Sequence, residues 1–186
     1  MRGLRSISKV SFAALAVLSG GCGPANAGAS GKACEVAEAV LPLANADGPP
    51  PLFSDPPREY GRGLAAEHLG GGWSGRTPNP STLRNFKREP AVSALACSGV
   101  TRLAKQRGAV VPFAQGRAQL DAMGLIMGKT GYLYSLSRPV FDDAGHEALV
   151  EIASSTNHLG GGVDLLLLVK QGGRWTVVGR KAVLLG

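Results

Sequence analysis

The sequence is poor in the residues from which most catalytic and metal sites are built. Its 186 residues include 3 histidines, 3 cysteines and only 5% aromatic residues. No histidine stands at metal-ligand spacing from another histidine or from a cysteine. There is also no G-x-S-x-G nucleophile motif and no H-E-x-x-H zinc motif. The sequence therefore predicts no metal, no cofactor and no catalytic constellation that can be recognised by spacing.

Long hydrophobic runs are missing as well. A permanent transmembrane helix needs about 20 consecutive apolar residues. The longest uncharged and mainly apolar run, residues 10–18, has nine, and the longest later one, residues 165–169, has five. The first run follows three positive charges in residues 1–9 and precedes small residues, which is the order of a signal peptide. We therefore expect an exported protein, periplasmic or secreted, without a transmembrane helix.

Two processing routes fit this leader. The small residues ending at Ala27 suit ordinary signal peptidase and predict a signal peptide of residues 1–27 and a single domain of residues 28–186. The alternative is a lipoprotein in which Cys22 is the lipidation candidate and carries a lipid anchor. A lipobox has a large aliphatic residue three places before its cysteine, where this chain has Ser19. The residues favour cleavage after Ala27 and leave lipid attachment at Cys22 as the alternative.

Either route takes Cys22 out of the count and leaves an even pair, Cys34 and Cys97. In an oxidising compartment such a pair predicts a disulfide bond. It would close a loop of about sixty residues and contribute roughly 4 kcal/mol in the chain-entropy model. The alternative is two buried free thiols that pack as small apolar groups.

The positive charge of the chain is mild once the leader is removed. The whole sequence has 20 Lys and Arg against 13 Asp and Glu, and loss of the three leader cations leaves 17 against 13, a net charge of +4. Few aromatic residues accompany the densest basic group, so we interpret it as a solvated face and expect no nucleic-acid partner. The alternative is attraction to anionic envelope polymers or lipid head groups. The group consists of Arg84, Lys87, Arg88, Arg102, Lys105 and Arg107.

Hydrophobic spacing places helices in the first two thirds of the chain. Apolar residues recur at helical intervals in residues 33–43, 91–106 and 117–127. Residues 44–82, by contrast, are rich in proline and glycine. They predict an irregular insertion, with Trp73 packed against the core.

The last third predicts strands. Alternation and turn residues favour a four-stranded antiparallel meander over residues 132–141, 148–153, 163–170 and 174–185. The five-residue apolar run inside the third strand indicates a central strand covered on both faces. We therefore predict one α+β domain, with two or three N-terminal helices packed on an antiparallel sheet of four or five strands. A cystatin-like or NTF2-like cone is the nearest familiar shape, by analogy.

Two polar clusters are weak site candidates. Asp142, Asp143, His146 and Glu147 offer four potential ligands within six residues. They straddle a predicted hairpin tip, where such residues are favoured for turn hydrogen bonds, so we favour a plain turn. Glycines 160–162 precede a strand rather than a helix, which favours a tight loop over an anion-binding nest.

A resemblance to known proteins covers residues 130–180, about a quarter of the chain. It rests, in order, on Ser137-Arg138-Pro139-Val140-Phe141, Asp143-x-Gly145-x-x-Ala148-Leu149-Val150, Gly160-Gly161-Gly162 and Lys170-x-x-Gly173-x-Trp175-x-Val177. This order resembles the C-terminal domain of a loosely defined group of bacterial secreted proteins and lipoproteins of uncharacterised activity. The resemblance implies export and the meander, and it implies no activity. Cysteines that are frequent in the glycine-rich loop of the group are replaced here by Asn157 and His158, so a second disulfide is not expected.

The function favoured by these observations is a non-enzymatic binding or interaction domain of the bacterial envelope, with an unknown envelope component as its partner. A hydrolase is the alternative. Its site would be assembled only in the fold, from His158 together with Ser154 or Asp164.

Overall fold

The fold is organised by one eight-stranded β-sheet with helices on both of its faces. A computed structural model describes residues 25–43, 50–55, 69–127, 130–157 and 160–184. The α+β class predicted from the sequence is confirmed.

The first helix begins at Ala25, before the apolar pattern that starts at residue 33. Pro42 cannot continue an α-helix, so the chain passes after α1 into the 3-10 turn Leu41–Leu43. Helix α2 was not predicted, although Asn79 at its N-cap and Pro80 at its first position are typical start residues. The main helices are α1 (Ala25–Val40), α2 (Pro80–Arg88), α3 (Ser98–Arg107) and α4 (Phe113–Met127).

The strands follow the order β2-β8-β7-β6-β4-β1-β3 across the sheet, and β5 also pairs with β6. Pairings are antiparallel except those of β1, which runs parallel to both β3 and β4. The strands are β1 (Leu52–Asp55), β2 (Ser74–Gly75), β3 (Ala109–Pro112), β4 (Tyr132–Leu136), β5 (Val140–Phe141), β6 (Glu147–Thr156), β7 (Gly161–Gln171) and β8 (Arg174–Leu184).

Most of the predicted antiparallel meander is present, but its first strand, expected over residues 132–141, is divided into β4 (Tyr132–Leu136) and β5 (Val140–Phe141). Strands β4, β6, β7 and β8 pair in sequence, and β7 lies between two neighbours with residues 165–169 buried. The turn between β7 and β8 uses Gly172 and Gly173 at φ 55° and 82°, a backbone region that favours glycine.

The prediction of an irregular segment over residues 44–82 is wrong where the chain forms β1 and β2. Strand β1 is only four residues long, yet it lies between β3 and β4 and buries Leu52, Phe53 and Ser54. The prolines that suggested irregular structure flank this strand and do not interrupt it, so they remove no hydrogen bond from the ladder. The sheet is consequently wider than the four or five strands expected, and mixed rather than antiparallel.

The helix expected over residues 91–106 begins later than predicted. Ser93 forms a β-bridge with Ser137, and its hydroxyl accepts a hydrogen bond from the Leu95 backbone N–H at 3.1 Å. This cap starts only a 3-10 turn, Ala94–Ala96, and α3 starts after Cys97. A local side-chain cap and a strand contact thus replace the first helical turn.

The two faces of the sheet have separate cores. We call the face that carries Tyr134, Ile152 and Leu166 the front face; α1 and α3 pack on it. The opposite face, the back face, carries Leu149 and Leu165 in one cluster and is covered by α2 and α4. The side chains alternate between these faces as the pleat of each strand requires.

The predicted disulfide is confirmed and joins the two front-face helices. Cys34 in α1 is bonded to Cys97, the N-cap residue of α3, with 5.5 Å between their Cα atoms. The two cysteines are 63 residues apart in sequence.

Candidate ligand-binding groove

A groove of about 800 Å³ lies on the front face beside α1. Ala39 of α1 borders it, and all its other lining residues belong to β4, β6, β7 and β8. The cross-strand register arranges the side chains from these four strands in two adjacent diagonals, one apolar and one polar.

The apolar diagonal forms the floor of the groove, with one side chain from each strand. Its members are Tyr134, Ile152, Leu166 and Val177. The residues paired directly across the strands from the first three members are Ser154 for Tyr134, Asp164 for Ile152 and Arg180 for Leu166. The next member of the diagonal lies two residues along the strand from each of these partners. On β8 the distance is three residues, because a bulge adds one.

Those three partners form the polar diagonal. Arg180 donates to Asp164 through Nε at 2.9 Å and through Nη2 at 2.8 Å. The hydrogen bonds and the charge of Asp164 raise the pKa of Arg180. The Ser154 hydroxyl donates to the Gly162 carbonyl at 3.5 Å. Because the ion pair is bidentate and internally neutral, this diagonal offers polarity to a ligand without a net charge.

Two tyrosines line the groove at its β4 end. The rings of Tyr132 and Tyr134 are nearly parallel, at 12°, with 5.9 Å between their centroids. Burial raises the pKa of Tyr134 to about 12, and the charges of Tyr132 and Asp164 act in the same direction. The Tyr134 ring is therefore neutral over the whole physiological pH range.

The raised pKa of Tyr134 predicts a loss of stability at alkaline pH. Above about pH 10 the unfolded chain releases this proton before the folded chain does, so the free energy of unfolding falls as the pH rises towards 12. Urea unfolding of the wild type and of Tyr134→Phe between pH 8 and pH 11 should show the steeper decline in the wild type. Parallel pH profiles would contradict this assignment.

Trp175 lines the groove at its β8 end. Its ring lies 5.8 Å from that of Phe141, centroid to centroid. Two ammonium groups approach the indole, Lys32 Nζ at 5.7 Å and Lys170 Nζ at 5.9 Å. The indole Nε1 is buried, and no acceptor for its hydrogen lies in the described part of the chain.

The structure brings together two of the three residues proposed for a hydrolase. Ser154 and Asp164 both line the groove, on neighbouring strands. His158 lies outside the described residues, as does the lipidation candidate Cys22 with residues 1–24. The nearest described histidine in sequence, His146, is exposed at the turn between β5 and β6 and does not line the groove.

The Asp142 cluster is a turn, as favoured from the sequence. Asp142 Oδ1 accepts the backbone N–H groups of His146 at 2.7 Å and of Glu147 at 3.0 Å. Asn85 and Arg84 both donate to Asp143, and the Asn85 hydrogen bond is the largest of the effects that lower the pKa of this carboxyl. Within residues 25–43, 50–55, 69–127, 130–157 and 160–184, no three His, Cys, Asp or Glu side chains lie close enough to hold a metal.

The basic residues grouped in sequence do not form one surface. Three of them lie on α2, which packs against the back face, and three lie on α3, which packs against the front face. They therefore do not make a continuous basic groove.

Sequence reasoning missed the groove because no residue of it forms a local motif. Asp164 and Leu166 share a face by simple alternation, and so do Ile152 and Ser154. The missing information was the register of four strands, including a bulge between Leu167 and Leu168. Arg180 in particular has no sequence signal that ties it to Asp164.

Comparisons with family models, with curated proteins and with solved structures found no match to this chain. Within the described residues, no helix combines the length and the apolar composition that crossing a membrane requires.

Proposed function

We propose that this protein is an exported bacterial envelope protein whose front-face groove binds a small amphipathic ligand, without chemical conversion. The observation that carries the proposal is the pair of diagonals, because a polar row beside an apolar row matches a ligand with one polar and one apolar side. Ligand sites are typically concave, mainly apolar and fitted with a few placed polar groups. The leader, the disulfide between Cys34 and Cys97 and the resemblance of residues 130–180 support export, with a lipid anchor on Cys22 as the alternative to a freely diffusing form.

We propose further that α1 and the front face correspond to the helix-on-sheet arrangement of a cystatin-like or NTF2-like cone. The support is the position of α1 across the meander with the groove beside it. The parallel strands β1 and β3 and the back-face helices are additions to that arrangement.

The binding proposal is tested with two valines of β8 that lie on opposite faces. Val177 is partly buried in the groove, and Val183 is partly buried on the back-face cluster. The probe is N-phenyl-1-naphthylamine, a neutral apolar fluorophore. We expect Val177→Phe, which fills the groove, to weaken its binding at least tenfold and Val183→Phe to change it less than twofold. Equal effects, or no saturable binding by the wild type, would overturn the proposal.

A hydrolase remains the second candidate, because Ser154 and Asp164 line the same groove. Asp164 is already held by Arg180, so activation of Ser154 would require His158 as the base. Hydrolysis of p-nitrophenyl esters that is lost in Ser154→Ala and kept in Ser155→Ala, a back-face neighbour, would favour this candidate. Equal rates in both variants would reject it.

A further inference from the structure

Resting on the proposed function, we propose that the ligand is an acidic amphiphile. Its single hydrocarbon chain would lie along the apolar diagonal. Its anionic head group would lie at the β8 end and be held by the Lys32 ammonium and the Trp175 indole N–H. The chemistry shared by fatty acids and by phosphate-bearing single-chain lipids meets this description.

The shape of the groove favours a chain over a compact ring system. The apolar diagonal crosses three strand spacings and advances three same-face steps, which gives a length of about 25 Å for ideal strand geometry. A volume of about 800 Å³ spread over that length corresponds to an average cross-section of about 30 Å². Such a section is narrow. It accommodates an extended chain that contacts Tyr134, Ile152, Leu166 and Val177 in turn.

In the described part of the chain, an ammonium group outside every ion pair and an indole N–H without an acceptor mark the β8 end as the site of the head group. Lys32 Nζ lies over the Phe141 and Trp175 rings and donates to the Gly145 carbonyl, but it takes part in none of the ion pairs of the described residues. Trp175 Nε1 is buried and has no acceptor in the same part of the chain. A buried donor without an acceptor is costly, so an oxygen-rich anionic group at this end would satisfy both donors.

The carboxylates near this end already have partners. Glu35 pairs with Lys170 at 3.5 Å. Asp142 accepts two backbone N–H groups, and Asp143 pairs with Arg84 at 2.9 Å. None of these carboxylates lies within ion-pair distance of Lys32 Nζ, whereas the charged pair on the polar diagonal neutralises itself. This difference sets the orientation of the ligand.

The experiment measures Trp175 fluorescence in the Trp73→Phe variant, where Trp175 is the remaining one of the two tryptophans. The probes are linear carboxylates of eight to fourteen carbons, with alcohols and trimethylammonium compounds of equal chain length, all below their aggregation concentrations. We expect carboxylate affinity to rise about fourfold per added methylene. We also expect each carboxylate to bind at least tenfold more tightly than the alcohol or the cation of the same length.

The head-group contact is tested with matched charge changes in the same background. Lys32→Gln should weaken carboxylate binding about tenfold and leave alcohol binding within twofold. Lys105→Gln, an exposed lysine of α3 outside the groove, should change neither. Alkyl phosphates run beside the carboxylates distinguish a phosphate-bearing lipid from a fatty acid as the better source of the head group.

The outcomes separate this inference from the proposed function. Binding that is sensitive to Val177→Phe but shows no preference for anionic head groups, or no dependence on chain length, overturns the amphiphile inference and leaves the groove as a binding site. If the wild type shows no binding that Val177→Phe weakens, the proposed function itself is overturned. Because the head-group preference is measured without changing Lys32, the inference stays testable even if Lys32→Gln fails to fold.

Discussion

Replacing Cys34 and Cys97 together by alanine should lower the free energy of unfolding by about 4 kcal/mol. The disulfide closes a segment of 63 residues that contains β1, β2 and α2, so the unfolded chain loses much of its freedom when the bond is present. Urea unfolding of the oxidised wild type and of the double variant measures the difference.

The reduced wild type is the control for this prediction. Treatment with a thiol reductant should bring the wild type to the stability of the double variant and leave the double variant unchanged. A loss below about 1 kcal/mol in both cases would mean that the reduced chain keeps its ends together in the unfolded state, contrary to the chain-entropy argument.

The same bond links the stability of the fold to the groove. It fixes α1 to the N-terminus of α3, and α1 supplies Ala39 at the border of the groove. Reduction of the disulfide should therefore weaken the binding of the probe to the groove. The back-face packing has no part in the disulfide, so we expect reduction to affect it less. The expected result is a coupling between the redox state of this disulfide and the proposed ligand site.

The C-terminal sheet could be predicted because its signals are local. Residues 132–136 alternate between the two faces, residues 165–169 are apolar throughout, and the glycines at 172 and 173 take positive φ between two strands. Periodicity and turn chemistry act over a few residues, so the sequence shows them directly. The cysteine pair was equally accessible, because setting aside Cys22 in the predicted leader leaves two of the three cysteines, and two cysteines allow a single pairing.

Strand β1 and helix α2 could not be predicted because their stability comes from distant partners. Strand β1 has four residues between prolines, and its parallel neighbours lie more than fifty residues away in sequence, at Ala109–Pro112, and further still at Tyr132–Leu136. Helix α2 is mostly polar, and its buried Phe86 packs on residues of β5, β6 and β7. Tertiary contacts of this kind outweigh local propensity, and in α2 the buried positions Thr82, Asn85 and Phe86 are mostly polar, so their helical spacing does not show as a pattern of apolar residues.

Helix α2 is also attached through a buried carboxylate, which gives the second large prediction. Glu147 of β6 is 1% exposed. Its Oε1 accepts the Asn79 backbone N–H at 2.7 Å and the Thr82 hydroxyl at 2.6 Å, at the start of α2. Its Oε2 lies 3.0 Å from Arg76 Nη2, as an ion pair rather than an aligned hydrogen bond. One side chain thus satisfies two donors at the N-terminus of the helix and fixes the preceding loop.

Two substitutions of Glu147 should differ in a defined order. Glu147→Leu removes every acceptor and leaves the Asn79 and Thr82 donors without a partner, so we expect a loss of about 3 kcal/mol in the free energy of unfolding. Glu147→Gln keeps one acceptor oxygen and loses the charge. Because the Arg76 side chain is 50% exposed and can return to water, we expect about half that loss for this variant.

The matched control is Asp143→Asn. This substitution also removes a carboxylate that pairs with an arginine, Arg84 of α2. The Asp143 side chain is 65% exposed and that of Arg84 is 60% exposed, so water replaces their contact. The amide oxygen of the new asparagine can still accept from Asn85 Nδ2, so the urea midpoint should stay nearly unchanged. Buried ion pairs do not always stabilise, because the cost of removing the charges from water can exceed their attraction. A Glu147→Leu variant as stable as the wild type would therefore show that the carboxylate orders the start of α2 without stabilising the fold. The order Asp143→Asn, then Glu147→Gln, then Glu147→Leu in increasing loss would establish that the Glu147 carboxylate stabilises the attachment of α2 to the sheet.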